Sequence, residues 1–321
     1  MANTTTFKLN TGAEIPALGL GTWQSEAGEV EKAVKYALEV GYRHVDGAYC
    51  YANEEEVGKG LAAAFASGIK REDIFVTSKL WCTYHSRPLE GLNKSLAALG
   101  LDYVDLFLVH WPIAMNPAGN DDRFPKHPDG SRDLVKGWSH IQTWKGMQEL
   151  VGTGKVKAIG VANYSKVILE ELLGDVGTKV VPAVNQIENH PSLPQNEIVS
   201  FCKEKGIHVT AYSPLGSSGC PMLKAAPVVE VAKSRGTSEA AVLLSWHLAR
   251  GSSVLAKSVT PTRIKANIDS LITLSADDMK VLNEYAEGLE KKGEVVRYVY
   301  PAFGVAFGFP DKPEGIKPWL L

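Results

Sequence analysis

Cysteine is scarce: the 321 residues contain four, Cys50, Cys82, Cys202 and Cys220, far apart and with no Cys-x-x-Cys pair. Such spacing excludes a disulfide scaffold and a thiolate zinc site. An excess of one charge is missing too, since 34 Lys+Arg stand against 36 Asp+Glu for a formal net charge of -2. A balanced chain lacks the electrostatic footprint of a nucleic-acid binder or a polybasic membrane protein. No apolar run approaches the roughly 20 residues a bilayer span needs. The start, Met-Ala-Asn-Thr-Thr-Thr, has neither the basic flank nor the apolar core of a secretory signal, so a cytoplasmic protein is expected. The eight histidines show neither His-x-x-x-His nor His-Glu-x-x-His spacing, and no metal is expected. Nucleotide-binding glycine loops are absent as well: Gly19-Leu20-Gly21-Thr22-Trp23-Gln24 lacks the third glycine of a Rossmann fingerprint, and there is no Walker loop.

What is present is an ordinary globular composition, 45% hydrophobic and 22% charged. Alternation at Phe7–Leu9 and Glu14–Ile15, around Asn10-Thr11-Gly12, predicts a small hairpin. Eight short apolar runs follow: Leu18–Gly21, His44–Asp46, Ile74–Leu80, Val104–Val109, Val156–Val161, Ala183–Ile187, His208–Tyr212 and Ser253–Ala256. Between them Glu29–Val40, Glu54–Ala66 and Leu89–Leu99 place apolar residues at helical spacing, with Gly41, Gly100 and Gly206 positioned as helix stops. Eight strands alternating with helices permit a doubly wound sheet or a closed (β/α)₈ TIM barrel. The missing glycine fingerprint favours the α/β barrel, read as one domain over residues 1–321 because no linker divides it. Two segments exceed ordinary barrel connections, Pro112–Trp138 and the tail Gly293–Leu321, and long, partly apolar loops on a barrel usually shape a pocket.

Barrel active sites lie at the C-terminal ends of the strands. There the sequence offers Asp46, Tyr51 five residues on, Lys79 near the end of the third strand, and His110 closing the fourth. Taken singly, each has a plain structural reading: a strand-end histidine with a hydrogen bond, a capping aspartate, a lysine that snorkels to water. Convergence on consecutive strand ends points to chemistry. Lys79 is costly to bury without a partner, and Asp46 supplies one. The ammonium beside Tyr51 is then expected to lower the phenol's pKa and make it a proton donor, while His110 hydrogen-bonds a bound carbonyl oxygen.

The run Tyr42-Arg43-His44-Val45-Asp46-Gly47-Ala48-Tyr49-Cys50-Tyr51, then Ser78-Lys79-Leu80-Trp81 and His110-Trp111-Pro112, resembles the aldo-keto reductases. The likeness continues through Gly160-Val161-Ala162-Asn163, Asn185-Gln186-Ile187-Glu188, Ala211-Tyr212-Ser213-Pro214-Leu215-Gly216 and Lys257-Ser258-Val259-Thr260-Pro261-Thr262-Arg263. The resemblance implies a barrel that binds NADPH and reduces aldehydes and ketones without metal or flavin, with Tyr51, Asp46, Lys79 and His110 as the catalytic tetrad. It assigns Asn163 and Gln186 to the nicotinamide carboxamide, with Tyr212 as the stacking ring, and Thr22 and Trp23 as further cofactor contacts. Ser213, Leu215 and Ser217 match the pyrophosphate loop, Lys257, Ser258, Thr260 and Arg263 the 2′-phosphate pocket, Asn267 an adenine contact, and Val259 a further cofactor contact. Two cations and two hydroxyls at a helix start form an anion site on physical grounds as well. Three positions depart from the family's common pattern: Ala162 stands in place of a serine, Ser217-Ser218-Gly219 lacks an acidic bridge to Lys257, and Ala266 replaces a glutamate near adenine.

Leu18–Ser25 and Phe303–Pro310 further resemble fungal NADP-dependent glycerol dehydrogenases and glyceraldehyde or xylose-type reductases. The expected partner is a small carbonyl substrate, glyceraldehyde or an aldose in one direction and a polyol such as glycerol in the other, handled by a monomer. Trp23, Tyr49, Trp81 and Trp111 are expected to wall the substrate pocket. Tyr49 and the Asn116–Asp133 loop are the candidates for polar groups that read substrate hydroxyls. The alternatives are a general aldehyde-detoxifying reductase, and a non-catalytic regulatory module like the potassium-channel β subunits.

Overall fold

The computed structural model describes residues 5–26, 28–317 and 320, so Met1–Thr4 and the last part of the Gly293–Leu321 tail lie outside the described residues. A two-stranded antiparallel hairpin, β1 (Thr6–Lys8) and β2 (Glu14–Pro16), precedes eight parallel strands that close on themselves. The barrel strands are β3 (Leu18–Gly21), β4 (His44–Asp46), β5 (Phe75–Leu80), β6 (Val104–Val109), β7 (Val156–Ala162), β8 (Val184–Glu188), β9 (His208–Tyr212) and β10 (Ser253–Lys257). Closure comes from β10 pairing β3, with Lys257 opposite Gly21. The expected fold class therefore stands.

The connecting helices are α1 (Glu29–Glu39), α2 (Glu54–Ala66), α3 (Pro88–Leu99), α4 (His140–Gln148), α5 (Lys166–Gly174), α6 (Asn196–Glu204), α7 (Ala226–Arg235), α8 (Glu239–Ala249), α9 (Pro261–Asp269) and α10 (Ala276–Lys292). Their ends obey local chemistry. Pro88 and Pro261 sit in first turns, Ser139 and Ser275 form capping boxes, and Gly100 and Gly293 end helices in the left-handed region at φ 65° and 68°. The apolar Ala240–Ala249 stretch is α8, buried on nearly every side, as an all-round hydrophobic helix must be.

At the N-terminal end the hairpin plugs the barrel, with Ile15 and Leu9 buried against Phe75, Leu106, Leu108 and Ala158. Gly19 is required inside: a Cβ there would lie 2.7 Å from His44 Nδ1 and 2.7 Å from Leu255 Cδ2. His44 itself bonds Thr77 Oγ1 at 3.0 Å. With that end filled, the ionisable strand ends face the opposite mouth.

Candidate active site

Barrel geometry alone brings the four sequence-predicted groups together. Asp46 is the last residue of β4, Tyr51 closes the short 3₁₀ turn Tyr49–Tyr51 behind it, Lys79 is next to last in β5, and His110 directly follows β6. Lys79 Nζ donates to Asp46 Oδ1 at 2.6 Å, to the Gly47 carbonyl at 2.9 Å and to Tyr51 Oη at 3.2 Å. An ammonium has three N–H groups, so all of them are spent here. The second oxygen of Asp46 accepts from Gln186 Nε2 at 2.7 Å, and Thr22 Oγ1 donates to the Asp46 carbonyl at 2.9 Å. Lys79 is 1% and Asp46 3% exposed. Such a buried pair persists only when its remaining hydrogen-bonding capacity is satisfied, as it is here.

Burial decides the protonation states. The Tyr51 phenol is held well above its usual value, first by desolvation and then by the Asp46 carboxylate and Cys50. This corrects the expectation that Lys79 would lower it: taking phenolate charge out of water outweighs a neighbouring ammonium already neutralised by Asp46. Because Lys79 can only donate, Tyr51 Oη accepts from it, and its own proton remains for another acceptor. His110 is pushed well below its usual value by burial and by the Lys79 charge, and is therefore neutral. Among the described residues its Nδ1 is buried without a hydrogen-bond partner. The imidazole meets the Tyr51 ring edge-on at 5.7 Å.

Around the mouth the remaining strand ends carry the groups expected at a dinucleotide. Asn163, at φ 62° just beyond β7, donates to the His110 carbonyl at 2.8 Å and accepts from Tyr212 Oη at 2.7 Å. Gln186 donates an amide N–H to Asp46, and its Oε1 has no hydrogen-bond partner among the described residues. After β9 the chain turns through left-handed Ser213, Gly216 and Ser217, with Ser213, Leu215 and Ser217 half-buried. At the end of β10, Lys257 is exposed and reaches the Gln24 carbonyl at 3.4 Å, across the mouth from the loop that lacks an acidic bridge. Helix α9 begins at Thr260 with no side-chain cap, and Arg263 stands exposed in its first turn. Ser258 and Val259 are half-buried before it, as is Asn267 on its far side. Among the described residues Lys257 and Arg263 have no carboxylate partner. An uncapped helix start with two unpaired cations fits a phosphate dianion.

The substrate side is built differently. Trp81 and Trp111 are buried, whereas Trp23 is 40% exposed at the rim. Trp81 stacks edge-on with His110 at 5.1 Å and with Phe124 at 5.3 Å, and its indole N–H donates to the Arg123 carbonyl at 2.5 Å. Tyr49 does not present a free hydroxyl to substrate: it is spent on Asp122, which also accepts from Tyr84 Oη at 2.8 Å. The tail supplies Phe303 and Phe307, 6.1 and 5.1 Å from Trp111. Sequence reading passed over what holds this tail. Buried Glu188 accepts the Tyr298 and Val299 backbone N–H groups, each at 2.8 Å, and its Oε1 lies 2.9 Å from His190 Nε2. Arg297 grips Asp311 with two bonds of 2.8 Å. A buried-type carboxylate two residues before a histidine was the available signal.

A closed (β/α)₈ barrel with an Asp–Lys–Tyr–His cluster on three adjacent strands and a phosphate-type helix start opposite defines a carbonyl oxidoreductase class. The chain belongs to the aldo/keto reductase family, whose model matches residues 17–287. It is 63% identical over 308 residues to the D-galacturonate reductase of Hypocrea jecorina, covering 96% of this chain and 99% of that one. It is 49% identical to the glycerol 2-dehydrogenase (NADP(+)) of Saccharomyces cerevisiae, covering 93% and 95%. The aldose reductase structure from Schistosoma japonicum superposes with a TM-score of 0.84 at 39% identity, covering 92% of this chain and 94% of that one.

Proposed function

We propose that this protein uses NADPH to reduce polyhydroxy aldehydes such as glyceraldehyde and aldoses to alcohols, and oxidises polyols such as glycerol in reverse. The observation that carries the reading is Lys79, whose three N–H bonds fix Asp46, Gly47 and Tyr51 and leave the Tyr51 proton for a substrate oxygen. NADPH, when bound, would supply hydride to the carbonyl carbon. Tyr51 gives its proton to the carbonyl oxygen as charge develops there, a step that general acids accelerate by roughly 10² to 10⁴. The phenolate left behind faces the Lys79 ammonium, held in place by Asp46. Neutral His110 orients the carbonyl through Nε2, and the buried Trp81 and Trp111 exclude water. Lys257, Ser258, Thr260 and Arg263 would hold the 2′-phosphate, Ser213, Leu215 and Ser217 the pyrophosphate, Gln186 and Asn163 the carboxamide, and Tyr212 the nicotinamide face. Thr22, Trp23, Val259 and Asn267 would complete the contacts.

The names of both relatives denote polyhydroxy substrates, and one names NADP(+), which supports the reading. The tetrad and the cofactor groups lie within one barrel, so no residue of a second copy is needed to complete the site, in keeping with the monomer we assign. No helix among the described residues is long and apolar enough to cross a membrane, in keeping with the cytoplasmic location we assign. The aromatic wall of Trp81, Trp111 and Phe303 favours a second reading, a general aldehyde reductase, because apolar walls discriminate weakly against apolar substrates. Glyceraldehyde and propanal differ in hydroxyls but share a chain length. A higher kcat/KM for glyceraldehyde with NADPH is expected, and equal or better use of propanal would favour the second reading.

A further inference from the structure

Helix α9 starts at the cation pair of the cofactor end, and a buried tyrosine from the far side of the barrel wall reaches its backbone. Tyr42 lies between α1 and β4 and is 1% exposed. Its own backbone is pinned: its N–H donates to the Ala37 carbonyl at 2.9 Å, while Arg43 Nη1 donates to the Tyr42 carbonyl at 2.6 Å and to the Leu38 carbonyl at 3.0 Å. The ring belongs to the same apolar core as the buried Ile264 and Ile268 of α9. A phenylalanine would fill that space equally, so the hydroxyl is there for its bonds. Tyr42 Oη donates to the Ile264 carbonyl at 3.1 Å, and the Asn267 side chain hydrogen-bonds the same oxygen.

Counting protons fixes the direction of that second bond. Burial holds the phenol above its usual value, so it keeps its one proton, and that proton is spent on Ile264. Asn267 must therefore donate, and its amide is no longer free to flip. A carboxamide has one N–H beside its oxygen and one that points back toward its own Cβ. Because the phenol oxygen also sits on the α9 backbone at Ile264, it meets the N–H that points back. What remains is an edge of one acceptor, Oδ1, beside one donor. Asn267 is half-buried, and this edge has no partner among the described residues. Its neighbours do not compete for it: Ala266 has no polar side chain, and Asp269, which acts on the phenol through its charge, is bonded to Lys265 at 2.5 Å. An acceptor beside a donor is the complement of a 6-aminopurine, whose amino group donates and whose N7 accepts. With an oxo group at C6, acceptor would face acceptor.

We infer that Tyr42 is a positioning residue for the adenine end of the cofactor: by taking one amide N–H of Asn267 it fixes the flip of that side chain, so that the protein tells a 6-amino from a 6-oxo purine. The inference rests on the assignment of Asn267 to the cofactor in the reading above and adds the residue that orients it. Asn267 makes the contact; Tyr42 decides which contact it is.

The test measures binding of NADPH and of its hypoxanthine analogue, in which an oxo group replaces the purine amino group, by quenching of protein fluorescence in unaltered enzyme and in Tyr42→Phe. Unaltered enzyme should bind NADPH at least about fivefold more tightly, the lower end of what a matched amide–adenine edge contributes. In Tyr42→Phe the amide can flip and offer its N–H to the oxo group, so the preference should fall to about twofold or less. Preference for NADPH over NADH should stay near normal in that variant, because Ile264 and Ile268 still seat α9 in the core. Equal binding of the two purines by unaltered enzyme, or an unchanged preference in Tyr42→Phe, overturns the inference. Loss of the NADPH-over-NADH preference together with the purine preference overturns it as well, since Tyr42 would then hold α9 as a whole rather than orient Asn267. Should the variant fold poorly, NMR of unaltered enzyme decides instead: the Asn267 amide proton trans to its oxygen should show a nuclear Overhauser contact to the Tyr42 ring, and contact from the other amide proton alone, or from neither, overturns the inference. Failure of NADPH to bind at all would bring down the cofactor reading itself, an outcome distinct from equal binding of the two purines.

Discussion

The wall that carries Asp46, Tyr51, Lys79 and His110 and the wall that carries Arg123, Phe124, Phe303 and Phe307 are held by different means. On the first, each functional side chain stands on a barrel strand or within a few residues of its end, and the ladder sets its height: Asp46 pairs with Thr77, and Lys79 with Leu108. On the second, irregular backbone is moored by side chains, Trp81 to Arg123, Asp122 to Tyr49, and Glu188 to the tail. A strand end is fixed by many backbone bonds at once, whereas a moored loop moves when one mooring changes. On the proposed reading, proton chemistry thus sits on the rigid part, and substrate choice on the part that substitutions reshape.

The same division governs what the sequence discloses. Ile74–Leu80 was expected as a strand and Phe75–Leu80 is one; Ala183–Ile187 becomes Val184–Glu188. Period and punctuation are local signals, so the barrel and its strand-end ionisable groups were legible. Tyr49 was misread as a hydroxyl available to substrate because its partner, Asp122, lies 73 residues away on a loop without periodicity. The pKa of Tyr51 was misjudged in sign because the depth of burial is a property of the closed barrel. Glu188 escaped notice because its partners, the Tyr298 and Val299 amides, lie 110 and 111 residues on.

The largest effect should come from the rigid wall. Tyr51→Phe keeps the ring and removes the proton, so kcat for reduction should fall by roughly 10² or more with NADPH binding intact. Turnover and quenching of protein fluorescence by NADPH measure both. Since the phenol is held well above its usual value, it stays protonated through neutral pH, and the unaltered enzyme's kcat/KM for reduction should be flat from about pH 6 to 9. A variant retaining more than about a tenth of normal turnover would remove Tyr51 as the acid.

A smaller effect is expected at the cofactor end, where charge rather than strand register does the selecting. Lys257 and Arg263 lack carboxylate partners among the described residues, and on the proposed reading a 2′-phosphate supplies the anion that both would otherwise lack. Each charge-assisted bond is worth about 1.5 to 3 kcal/mol, or at least about tenfold in selectivity. Unaltered enzyme should prefer NADPH to NADH by this factor or more, and Arg263→Ala should remove about one tenfold step of it. Equal kcat/KM for the two cofactors would refute the phosphate assignment while leaving the tetrad untouched.

The smallest effect, and the sharpest probe of the moored wall, is Glu188→Gln. A glutamine can accept only one of the two tail amides, because its NH₂ turns toward the other and leaves that N–H unsatisfied, at a local cost of about 1 to 3 kcal/mol. The tail remains attached through Arg297, which keeps both bonds to Asp311, one of 3.0 Å to Gln195 Oε1, and a stacking contact 3.9 Å from the Phe309 ring. What loosens is the stretch after Val299 that sets Tyr300, Phe303 and Phe307 over Trp111. KM for aldehyde should therefore rise roughly threefold to tenfold while kcat and NADPH affinity stay near normal, the pattern of lost substrate binding rather than lost chemistry. If kcat and NADPH affinity fell together with thermal stability, Glu188 would be a general support of the barrel, and the two walls would not be independent. If nothing changed, the tail would owe its position to Arg297 and the aromatic packing alone.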